Sequence, residues 1–324
     1  MNNRPLATIV LMTYNQEKYV REAVCSVLNQ TYDNLEVIIS DDCSSDNTWE
    51  IVESEVEIYR QNSGLHTRII LNRNKVNLGV ARHFELLMSK SHGEIVVAQA
   101  GDDRSLPARV EHIVDAYNEN PDATLFCHKA VYIDDAGHRT KAGAVSTSAY
   151  MPLGALMAYS SRTYTEFGPI VERDAFEDDV YARRAEMLGR EVQVHEVLLE
   201  YRVGCGGISS GGGGAKVRRS RVARGCLASA KQSRLDILEC KCKLDADVCA
   251  RIKREIDRYE QYYSAEYAFY NARCIVDKIK AFKRLNKHLG LLPCITLFMR
   301  CTLPERVVSV LRAAKSALVR SGHE

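Results

Sequence analysis

Two adjacent aspartates follow an apolar run in the segment EIVVAQAGDDRSLP, residues 94–107. Isolated acids at the end of a strand would repel each other, so Asp102 and Asp103 call for an explanation. Carboxylates are hard oxygen ligands that suit Mg²⁺ or Mn²⁺, which bind them together with substrate phosphates rather than in a full protein cage. The alternative is that one aspartate caps a helix beginning at Leu106, for which a single carboxylate would suffice. Both interpretations stay open on this segment alone.

A second acidic cluster lies in IISDDCSSDNTW, residues 38–49. An acid at a strand end can accept a hydrogen bond from the imide N–H of a nucleobase. Asp42 is placed for this role, and Tyr14 could stack on the base. The alternative is a polar turn followed by a helix N-cap at Asp46. The segment favours the two interpretations about equally.

A third cluster lies in FEDDVYARRAEMLG, residues 176–189. The acids at 177–179 fall in a predicted first helical turn, where the helix dipole favours negative charge. That is one explanation of the cluster. The other is that one acid serves as a general base, which must reach an acceptor hydroxyl at a cleft. Arg183 and Arg184 lie about one turn further on, and we expect them to keep the carboxylates ionised.

Alternating strand and helix patterns surround the first two clusters. Short apolar runs separated by segments of helical spacing predict βαβ units and a mostly parallel sheet. Ligands of such sheets bind beyond the carboxyl ends of the strands, which is where the polar clusters fall. The predicted strands are 6–13, 35–40, 67–72 and 94–99, the predicted helices are 17–30, 46–61, 79–90 and 106–120, and the polar clusters are 13–15, 41–46, 72–79 and 101–103.

The later part of the chain predicts a second, different region. Strand patterns occur at 123–137 and 192–203, and a glycine-rich segment follows at 204–216. Before this segment the charge is acidic, with 20 Lys and Arg against 31 Asp and Glu in residues 1–210. Residues 211–324 carry 24 basic against 11 acidic residues and a helix-rich pattern. We therefore predict an acidic α/β domain at 1–210 and a basic helical region at 211–324.

Residues 287–320 mix apolar runs with regularly placed Lys and Arg. The stretch from Pro304 has apolar side chains at helical spacing. One interpretation is a helix packed on the acidic α/β domain with a solvated basic face. The other is an interfacial helix on an anionic membrane surface. No nucleic-acid-binding motif accompanies the charge, so nucleic acid is not an expected partner.

The overall composition is that of an ordinary soluble globular protein. The net charge is +2, 46% of the residues are hydrophobic and 27% are charged. The sequence contains no run of about 18 apolar residues, so it predicts no membrane-spanning helix. The 11 cysteines form neither a disulfide framework nor a zinc pattern, which favours reduced thiols in a cytoplasmic protein.

The segments at 8–48, 77–110 and 167–209 resemble, in this order, family 2 glycosyltransferases of the GT-A fold. The resemblance covers about residues 5–210. It implies an inverting enzyme that transfers a sugar from a nucleoside diphosphate, UDP or dTDP, to a hydroxyl of a saccharide or lipid-linked acceptor. Bacterial surface polysaccharide biosynthesis is the process expected for such an enzyme. It would lie in the cytoplasm or on the inner face of the plasma membrane.

The resemblance also implies roles for individual residues. Asp42 would bind the base, Asp178 would be the catalytic base, and Mg²⁺ or Mn²⁺ would be the cofactor. Asp103 is favoured over Asp102 as the direct metal ligand. The implied nucleotide-sugar site consists of Thr13, Tyr14, Asn15, Asp42, Asn77, Gly79, Arg82 and Asp102, and the implied metal site of Asp102 and Asp103.

Two positions depart from the family pattern. Ala100 stands where the family often has an acid, and no histidine follows the pair Tyr201 and Arg202. The Gln-x-x-Arg-Trp signature of processive synthases is absent from the sequence, which favours addition of a single sugar. The alternative function is a non-catalytic sugar-nucleotide- or membrane-binding protein. A nucleotidyltransferase is disfavoured because no glycine-rich basic loop follows the first strand. Acceptor choice is expected to depend on loops at 151–167 and 204–214.

Overall fold

Eight strands form one mixed sheet in the part of the chain that the structure describes, a computed structural model covering residues 4–62, 67–149, 152–204 and 215–289. The strands are β1 (Ala7–Thr13), β2 (Leu35–Asp41), β3 (Arg68–Arg73), β4 (Ile95–Ala100), β5 (Arg104–Ser105), β6 (Ala123–Ile133), β7 (Met157–Ser160) and β8 (Arg190–Arg202). Their order is β3-β2-β1-β4-β7-β6-β8-β5. β1 to β4 run parallel, whereas β7 is antiparallel to both β4 and β6. The predicted α/β sheet is therefore confirmed.

Nine α-helices accompany the sheet in the described residues. They are α1 (Val20–Leu28), α2 (Thr48–Asn62), α3 (Val80–Lys90), α4 (Arg109–Glu119), α5 (Arg162–Thr165), α6 (Glu177–Leu188), α7 (Ala215–Glu239), α8 (Ala246–Asn271) and α9 (Ile275–Leu289). A 3₁₀ turn, Gly154–Leu156, precedes β7.

Alternate residues of the central strand β1 face two different cores. Ile9 and Leu11 pack with helices α1, α2 and α4, whereas Val10 packs with α3 and α6. All three side chains are fully buried. This alternation follows from the two-residue repeat of a strand and places the sheet between two helical layers. Because strands such as β1 are buried on both faces, polar side chains are expected at the strand ends.

The ends of the parallel strands lie in register along one edge of the sheet. Thr13 of β1 is opposite Asp41 of β2, which is itself opposite Arg73 of β3. On the other side of β1, Met12 is opposite Ala100, the last residue of β4. The polar clusters that follow these strands therefore begin side by side, as the alternating pattern predicts.

Helix α4 begins at Arg109, three residues later than predicted. The backbone N–H of Leu106 donates to the carbonyl of Leu198 in β8 at 2.9 Å, so this residue still pairs with the sheet. Pro107 has no N–H to continue that pairing, and the helix starts shortly after it. The loop expected at 151–167 also contains regular structure in its described residues, namely the 3₁₀ turn, β7 and α5.

The contacts divide the chain into two units. The first comprises Met1–Gly211 together with Ala228–Ile256, and the second comprises Gly212–Leu227 together with Asp257–Glu324. Residues from 215 to 289 are largely helical, in agreement with the helix-rich pattern of that region. Ala228–Ile256, which follows the predicted boundary, associates with the first unit. The domain boundary between residues 210 and 211 therefore stays a prediction.

The second unit has an apolar cluster of its own. Phe269 and Tyr270 of α8 pack there with Ala281 and Leu285 of α9. No helix in the described ranges is long and apolar enough to cross a membrane. The predicted basic helix that begins at Pro304 lies outside the described residues.

Gly101 lies where the chain leaves β4 and approaches the end of β1. A Cβ atom at this position would lie 2.9 Å from Cγ2 of Thr13 and 3.1 Å from the carbonyl oxygen of Met12. We expect Gly101→Ala to lower the free energy of unfolding by about 1–3 kcal/mol because it overfills a packed site. Urea denaturation would measure the change. Gly143→Ala is the control, since a Cβ there meets nothing within 4 Å. Equal losses in the two variants would contradict the packing argument.

Candidate active site

Asp42 holds the loop between β3 and α3 in place. Its Oδ1 accepts hydrogen bonds from Nδ2 of Asn74 at 2.8 Å and from the backbone N–H of Leu78 at 2.9 Å. Its Oδ2 accepts from the backbone N–H of Gly79 at 3.0 Å. A carboxylate oxygen has two lone pairs, so Oδ2 retains acceptor capacity for a further donor. Asp42, which is 3% exposed, thus holds the loop in place, and its carboxylate retains acceptor capacity on Oδ2.

The same loop contains the other predicted residues of the nucleotide site. Gly79 has a φ of 79°, a backbone conformation that suits glycine and disfavours other residues. Oδ1 of Asn77 also accepts from the Gly79 N–H, at 3.0 Å. Arg82 is exposed in the first turn of α3. The structure therefore places Asn77, Gly79 and Arg82 along one short segment whose start Asp42 anchors.

The three predicted residues after β1 have different environments. Thr13 is buried, and its hydroxyl lies 3.2 Å from Oδ1 of Asp41. Asn15 has a φ of 50°, and its Oδ1 accepts from the backbone N–H of Ser45 at 2.9 Å. Tyr14 is 48% exposed. Thr13 and Asn15 therefore shape the end of β1, whereas the Tyr14 ring is accessible for stacking.

Neither Asp102 nor Asp103 caps helix α4, which was the alternative explanation of the pair. The N-cap position of α4 is Ala108, and no side chain caps the helix there. Asp103 instead accepts from the backbone N–H of Arg202, through Oδ1 at 2.8 Å. The capping interpretation is therefore wrong, and the pair needs another explanation. For the second cluster, by contrast, Oδ1 of Asp46 accepts from the backbone N–H of Thr48 at 3.1 Å, as a cap would.

Arg202, the last residue of β8, holds the turn formed by Asp102 and Asp103. Besides its backbone bond to Asp103, its Nε donates to the carbonyl of Asp102 at 2.9 Å. Its Nη2 donates to Oε2 of Glu22 in α1 at 2.6 Å. The guanidinium lies 4.9 Å from the centre of the Tyr19 ring. The turn is therefore fixed by groups from α1 and β8, which are distant in sequence.

The two aspartates differ in their access to solvent. Asp102 is half-buried, whereas Asp103 is 2% exposed. Burial, and then the charge of Asp102, raise the pKa of Asp103 well above its usual range. Oδ2 of Asp103 has no hydrogen-bond partner among the described residues. A buried carboxylate oxygen without a partner, next to a more accessible carboxylate, is a donor set that fits a divalent cation.

The protein alone does not offer a closed metal cage in the described residues. No group of three or more His, Cys, Asp or Glu side chains in that part of the chain could hold a metal ion. Mg²⁺ and Mn²⁺ often take only one or two carboxylates and complete their shell with water and substrate phosphates. Because Asp102 is less buried than Asp103, a cation from solvent would reach Asp102 more easily.

Asp178 lies in the first turn of α6, as predicted, next to the 3₁₀ turn. Its Oδ1 accepts from the backbone N–H of Asp179 at 2.8 Å, and its Oδ2 accepts from the backbone N–H of Gly154 at 3.3 Å. Burial, and then the charge of Asp179, raise the pKa of Asp178 to about 6. Burial, and then the charge of Asp178, raise the pKa of Glu177 to about 8. Asp178 can therefore take up a proton near neutral pH, as a general base must.

Of the two arginines of α6, Arg183 pairs with the acidic cluster as predicted, whereas Arg184 does not. Arg183 pairs with Asp179, with Nε 3.4 Å from Oδ1. Arg184 is buried and binds Asp236 of α7 through two bonds of 2.8 and 2.9 Å. The expectation that Arg184 keeps the acidic cluster ionised is wrong. Side chains four residues apart share a helix face, whereas Arg184 lies six residues after Asp178 and points elsewhere.

The sequence did not indicate the contacts of Arg202, or those of the buried Arg109, whose Nη2 donates to the carbonyl of Ala155 at 2.7 Å. Arg202 lies one residue before the end of the predicted strand 192–203, and nothing in its neighbourhood indicates contact with residues one hundred positions earlier. Arg109 had a detectable signal, because it lies four residues before the buried Ile113 of α4. An arginine on the apolar face of a helix indicates a specific buried partner. Gly154 had no signal, since its contact with Asp178 arises only in the folded chain.

The chain belongs to glycosyl transferase family 2, whose sequence model matches residues 8–178. It is 35% identical over 124 residues to an uncharacterized glycosyltransferase of Haemophilus influenzae, a match covering 38% of this chain and 36% of that protein. It is 29% identical over 164 residues to WcaA of Escherichia coli, a glycosyl transferase named for colanic acid biosynthesis, covering 51% and 54%. The chain thus spans between about a third and about half of the length of the curated relatives it matches.

Two solved structures with a similar fold contain a bound nucleotide sugar. TarS of S. aureus in complex with UDP-GlcNAc superimposes with a TM-score of 0.59 and 16% identity, over 87% of this chain and 80% of that chain. The mannosyltransferase PcManGT of Pyrobaculum calidifontis, in complex with GDP-Man and Mn²⁺, gives 0.56 and 18%, over 92% and 79%. At these identities the likeness establishes the fold, and the predicted GT-A fold is confirmed.

Proposed function

We propose that this protein is an inverting glycosyltransferase that moves a single sugar from a nucleoside diphosphate to a hydroxyl group of a saccharide or lipid-linked acceptor. The observation that carries the proposal is Asp178, a carboxylate on a helix start whose pKa is raised to about 6. It belongs to the same unit as the acidic turn at the end of β4. In the proposed transfer the general base acts on the acceptor hydroxyl, and the acidic turn holds the diphosphate of the donor.

The acceptor step follows from the chemistry of Asp178. Its carboxylate takes the proton of the acceptor hydroxyl as the oxygen attacks the anomeric carbon. The new C–O bond forms on the face opposite the diphosphate, and the bond to the diphosphate oxygen breaks. Two backbone N–H groups hold the carboxylate, so its orientation is set before the acceptor arrives. In-line attack from one side gives inversion at the anomeric carbon.

The donor would bind along the edge formed by the ends of the parallel strands. In this proposal Oδ2 of Asp42 accepts the imide N–H of the base, and the Tyr14 ring stacks on it. The exposed Arg82 supplies positive charge for the phosphates. UDP or dTDP fits this arrangement because uracil and thymine carry an imide N–H.

The residues that would hold a divalent cation are Asp102 and Asp103. When bound, Mg²⁺ or Mn²⁺ neutralises the charge that develops on the diphosphate leaving group. Arg202 fixes the turn that presents both carboxylates. The PcManGT structure contains Mn²⁺, which supports a metal-dependent reaction here.

We place the reaction in the biosynthesis of a bacterial surface polysaccharide, on the cytoplasmic side of the membrane. The match to WcaA, named for colanic acid biosynthesis, supports this placement. The test is a screen of UDP- and dTDP-sugars by product mass, with and without Mn²⁺ or Mg²⁺. Turnover of a sugar nucleotide would support the proposal. Binding of UDP without turnover across a broad panel of donors and acceptors would instead favour the non-catalytic alternative, to which Ala100 points.

The pH dependence of turnover provides a separate prediction. Asp178 must be deprotonated to act as a base, so kcat/KM, which reports the free enzyme, should rise as the pH increases through about 6 and level off above it. Well below this pKa, kcat/KM should fall about tenfold per pH unit. Initial rates at low substrate concentration between pH 5 and 8, with circular dichroism to confirm folding, would measure this. A constant kcat/KM over that range would exclude a base with this pKa.

We also propose that the basic C-terminal region binds an anionic membrane surface. In α9, Val276 is 54% exposed and Ile279 is 44% exposed, next to the exposed Lys280 and Lys283. A helix with apolar and basic side chains on an exposed face suits the interface of anionic lipids.

Flotation with phosphatidylglycerol vesicles would test this contribution. Each lysine near an anionic surface contributes about 1 kcal/mol, so replacing Lys280 and Lys283 by glutamine should weaken binding by roughly 30-fold. The control is the same change at Lys75 and Lys141, which are exposed residues of the first unit. Equal flotation of wild type and both variants would contradict a role for α9.

A further inference from the structure

Arg109 is a fully buried cation that no carboxylate pairs with in the described part of the chain. A buried guanidinium normally needs an anionic partner, because taking its charge out of water is costly. Burial lowers the pKa of Arg109 to about 9, while the charge of Asp103 acts in the opposite direction. Arg109 is therefore still charged at neutral pH, and the groups that accept its hydrogen bonds are neutral.

All five N–H donors of Arg109 have an acceptor. A guanidinium carries five such donors in a rigid planar arrangement, so this side chain is completely satisfied. The bonds are Nε to His128 Nε2 at 3.0 Å, Nη1 to Gln99 Oε1 at 2.6 Å and to Ser105 Oγ at 2.9 Å, and Nη2 to the carbonyls of Ala98 at 2.8 Å and Ala155 at 2.7 Å.

His128 is fixed in one form by this arrangement. Its Nε2 accepts from Arg109, so that nitrogen carries no proton. Its Nδ1 lies 3.0 Å from the carbonyl oxygen of Lys129, to which it must donate. Burial, and then the charge of Arg109, lower the pKa of His128 well below its usual range, which keeps the ring neutral. The geometry and the charge state therefore agree, and the site around Arg109 has a single hydrogen-bonding arrangement.

One side of this network leads to the acidic turn. Oε1 of Gln99 accepts from Arg109 and from the Ser105 hydroxyl, the latter at 2.7 Å. These two bonds orient the Gln99 amide, whose Nε2 donates to the carbonyl of Asp103 at 3.0 Å. Arg109 thus holds the backbone of the turn from inside the core, while Arg202 holds it through Asp102 and the Asp103 carboxylate.

The other side of the network leads to the proposed base. Nη2 of Arg109 binds both the Ala98 carbonyl of β4 and the Ala155 carbonyl of the 3₁₀ turn. The residue before Ala155 is Gly154, whose backbone N–H donates to Oδ2 of Asp178 at 3.3 Å. A single guanidinium therefore joins the strand that ends in the acidic turn to the segment that orients the base.

We propose that Arg109 is a positioning residue that fixes the Asp178 carboxylate relative to the turn formed by Asp102 and Asp103. This inference rests on the proposed glycosyl transfer, in which the donor lies at the turn and the acceptor at the base. Lysine cannot replace arginine in this role, because its three donors project from one nitrogen and cannot bridge two backbone carbonyls and three side chains.

Arg109→Lys is the variant that tests this role. We expect kcat per folded molecule to fall by about 10- to 100-fold, since a small misplacement of reacting groups can cost that much. The acidic limb of the pH profile should move to higher pH, because Asp178 loses a well-placed N–H donor. Hydrogen exchange at the amide of Gly154 should become faster.

The matched control is Ile113→Ala, which removes a buried side chain one turn further along α4 and destabilises the protein without touching the network. If Arg109→Lys does not fold, Gln99→Met keeps Arg109 with its bonds to the Ala98 and Ala155 carbonyls. It removes the acceptor that Arg109 and Ser105 share, together with the link to the Asp103 carbonyl, and it should still lower kcat by at least about fivefold. The same kcat per folded molecule, pH limb and exchange rate in the test variants and the control would overturn the inference. Absence of turnover in the wild type would contradict the proposed function instead, and the exchange comparison would still test the bridge made by Arg109.

Discussion

Asp178→Asn is expected to lower the turnover of the sugar nucleotide by about a thousandfold, within the range of about 10²–10⁴ that a general base contributes. The amide has nearly the shape of the carboxylate, and its oxygen can still accept one of the bonds from Gly154 and Asp179. Asparagine cannot take the proton of an acceptor hydroxyl at neutral pH. Nucleotide binding should be unchanged, because the proposed donor site is formed by residues outside α6. Initial rates and calorimetric titration with UDP would measure the two effects separately.

The control for this substitution is Asp174→Asn, the same chemical change at an exposed position four residues earlier. It should keep the wild-type rate, which would exclude a general effect of removing negative charge from this segment. Full activity of Asp178→Asn would remove Asp178 as the base. Loss of both activity and UDP binding would indicate a structural role, and the base would have to be sought elsewhere.

The first half of the fold could be predicted because each element carries its own signal. β1 to β4 are apolar runs, and α1 to α3 have helical spacing, so the alternation alone indicates the parallel sheet. β5 and β7 had no such signal. β5 has two residues, Arg104 and Ser105, and is defined only by its pairing with β8. β7 has four residues and exists because β4 and β6 flank it.

The candidate site could be predicted only in part, for a related reason. Strand ends mark the positions of Asp42, Asp102 and Asp103, because strand direction and register follow from the alternating pattern. What holds these carboxylates could not be predicted, since their partners come from distant segments. The Asp42 carboxylate binds backbone N–H groups, which leave no trace in the sequence. Asp103 depends on Arg202, which lies 99 positions later.

The two aspartates at the end of β4 should respond differently to substitution by asparagine. Asp102→Asn should lower turnover by about a hundredfold and weaken its dependence on Mn²⁺. The reason is that the more accessible carboxylate is lost at the place where the diphosphate charge develops, and metal-assisted stabilisation of that charge contributes several kcal/mol. Rates measured over a titration with Mn²⁺ would show both effects. Asp115→Asn, an exposed change in α4, is the control and should behave as wild type.

Asp103→Asn should leave the protein at least as stable as the wild type. The side chain is 2% exposed, and Oδ2 has no hydrogen-bond partner among the described residues. An asparagine oxygen can still accept from the Arg202 N–H, and the substitution removes a buried charge next to Asp102. Burial and the charge of Asp102 affect Asp103 more strongly than the charge of Arg109 does, so removing the charge outweighs the lost attraction to Arg109. Thermal denaturation would measure this. A marked loss of stability would mean that the Asp103 charge is required by the fold.

The comparison of the two variants decides which carboxylate a cation needs. If Asp102→Asn alone weakens the dependence on Mn²⁺, then Asp103 shapes the turn and Asp102 binds the ion. If both variants weaken it, then Oδ2 of Asp103 is a ligand, and its burial without a partner is explained by the ion. Wild-type rates and metal dependence in both variants would contradict a metal site at this turn. Asp103 would then be explained by its electrostatic attraction to the buried Arg109, and Asp102 would need a separate explanation.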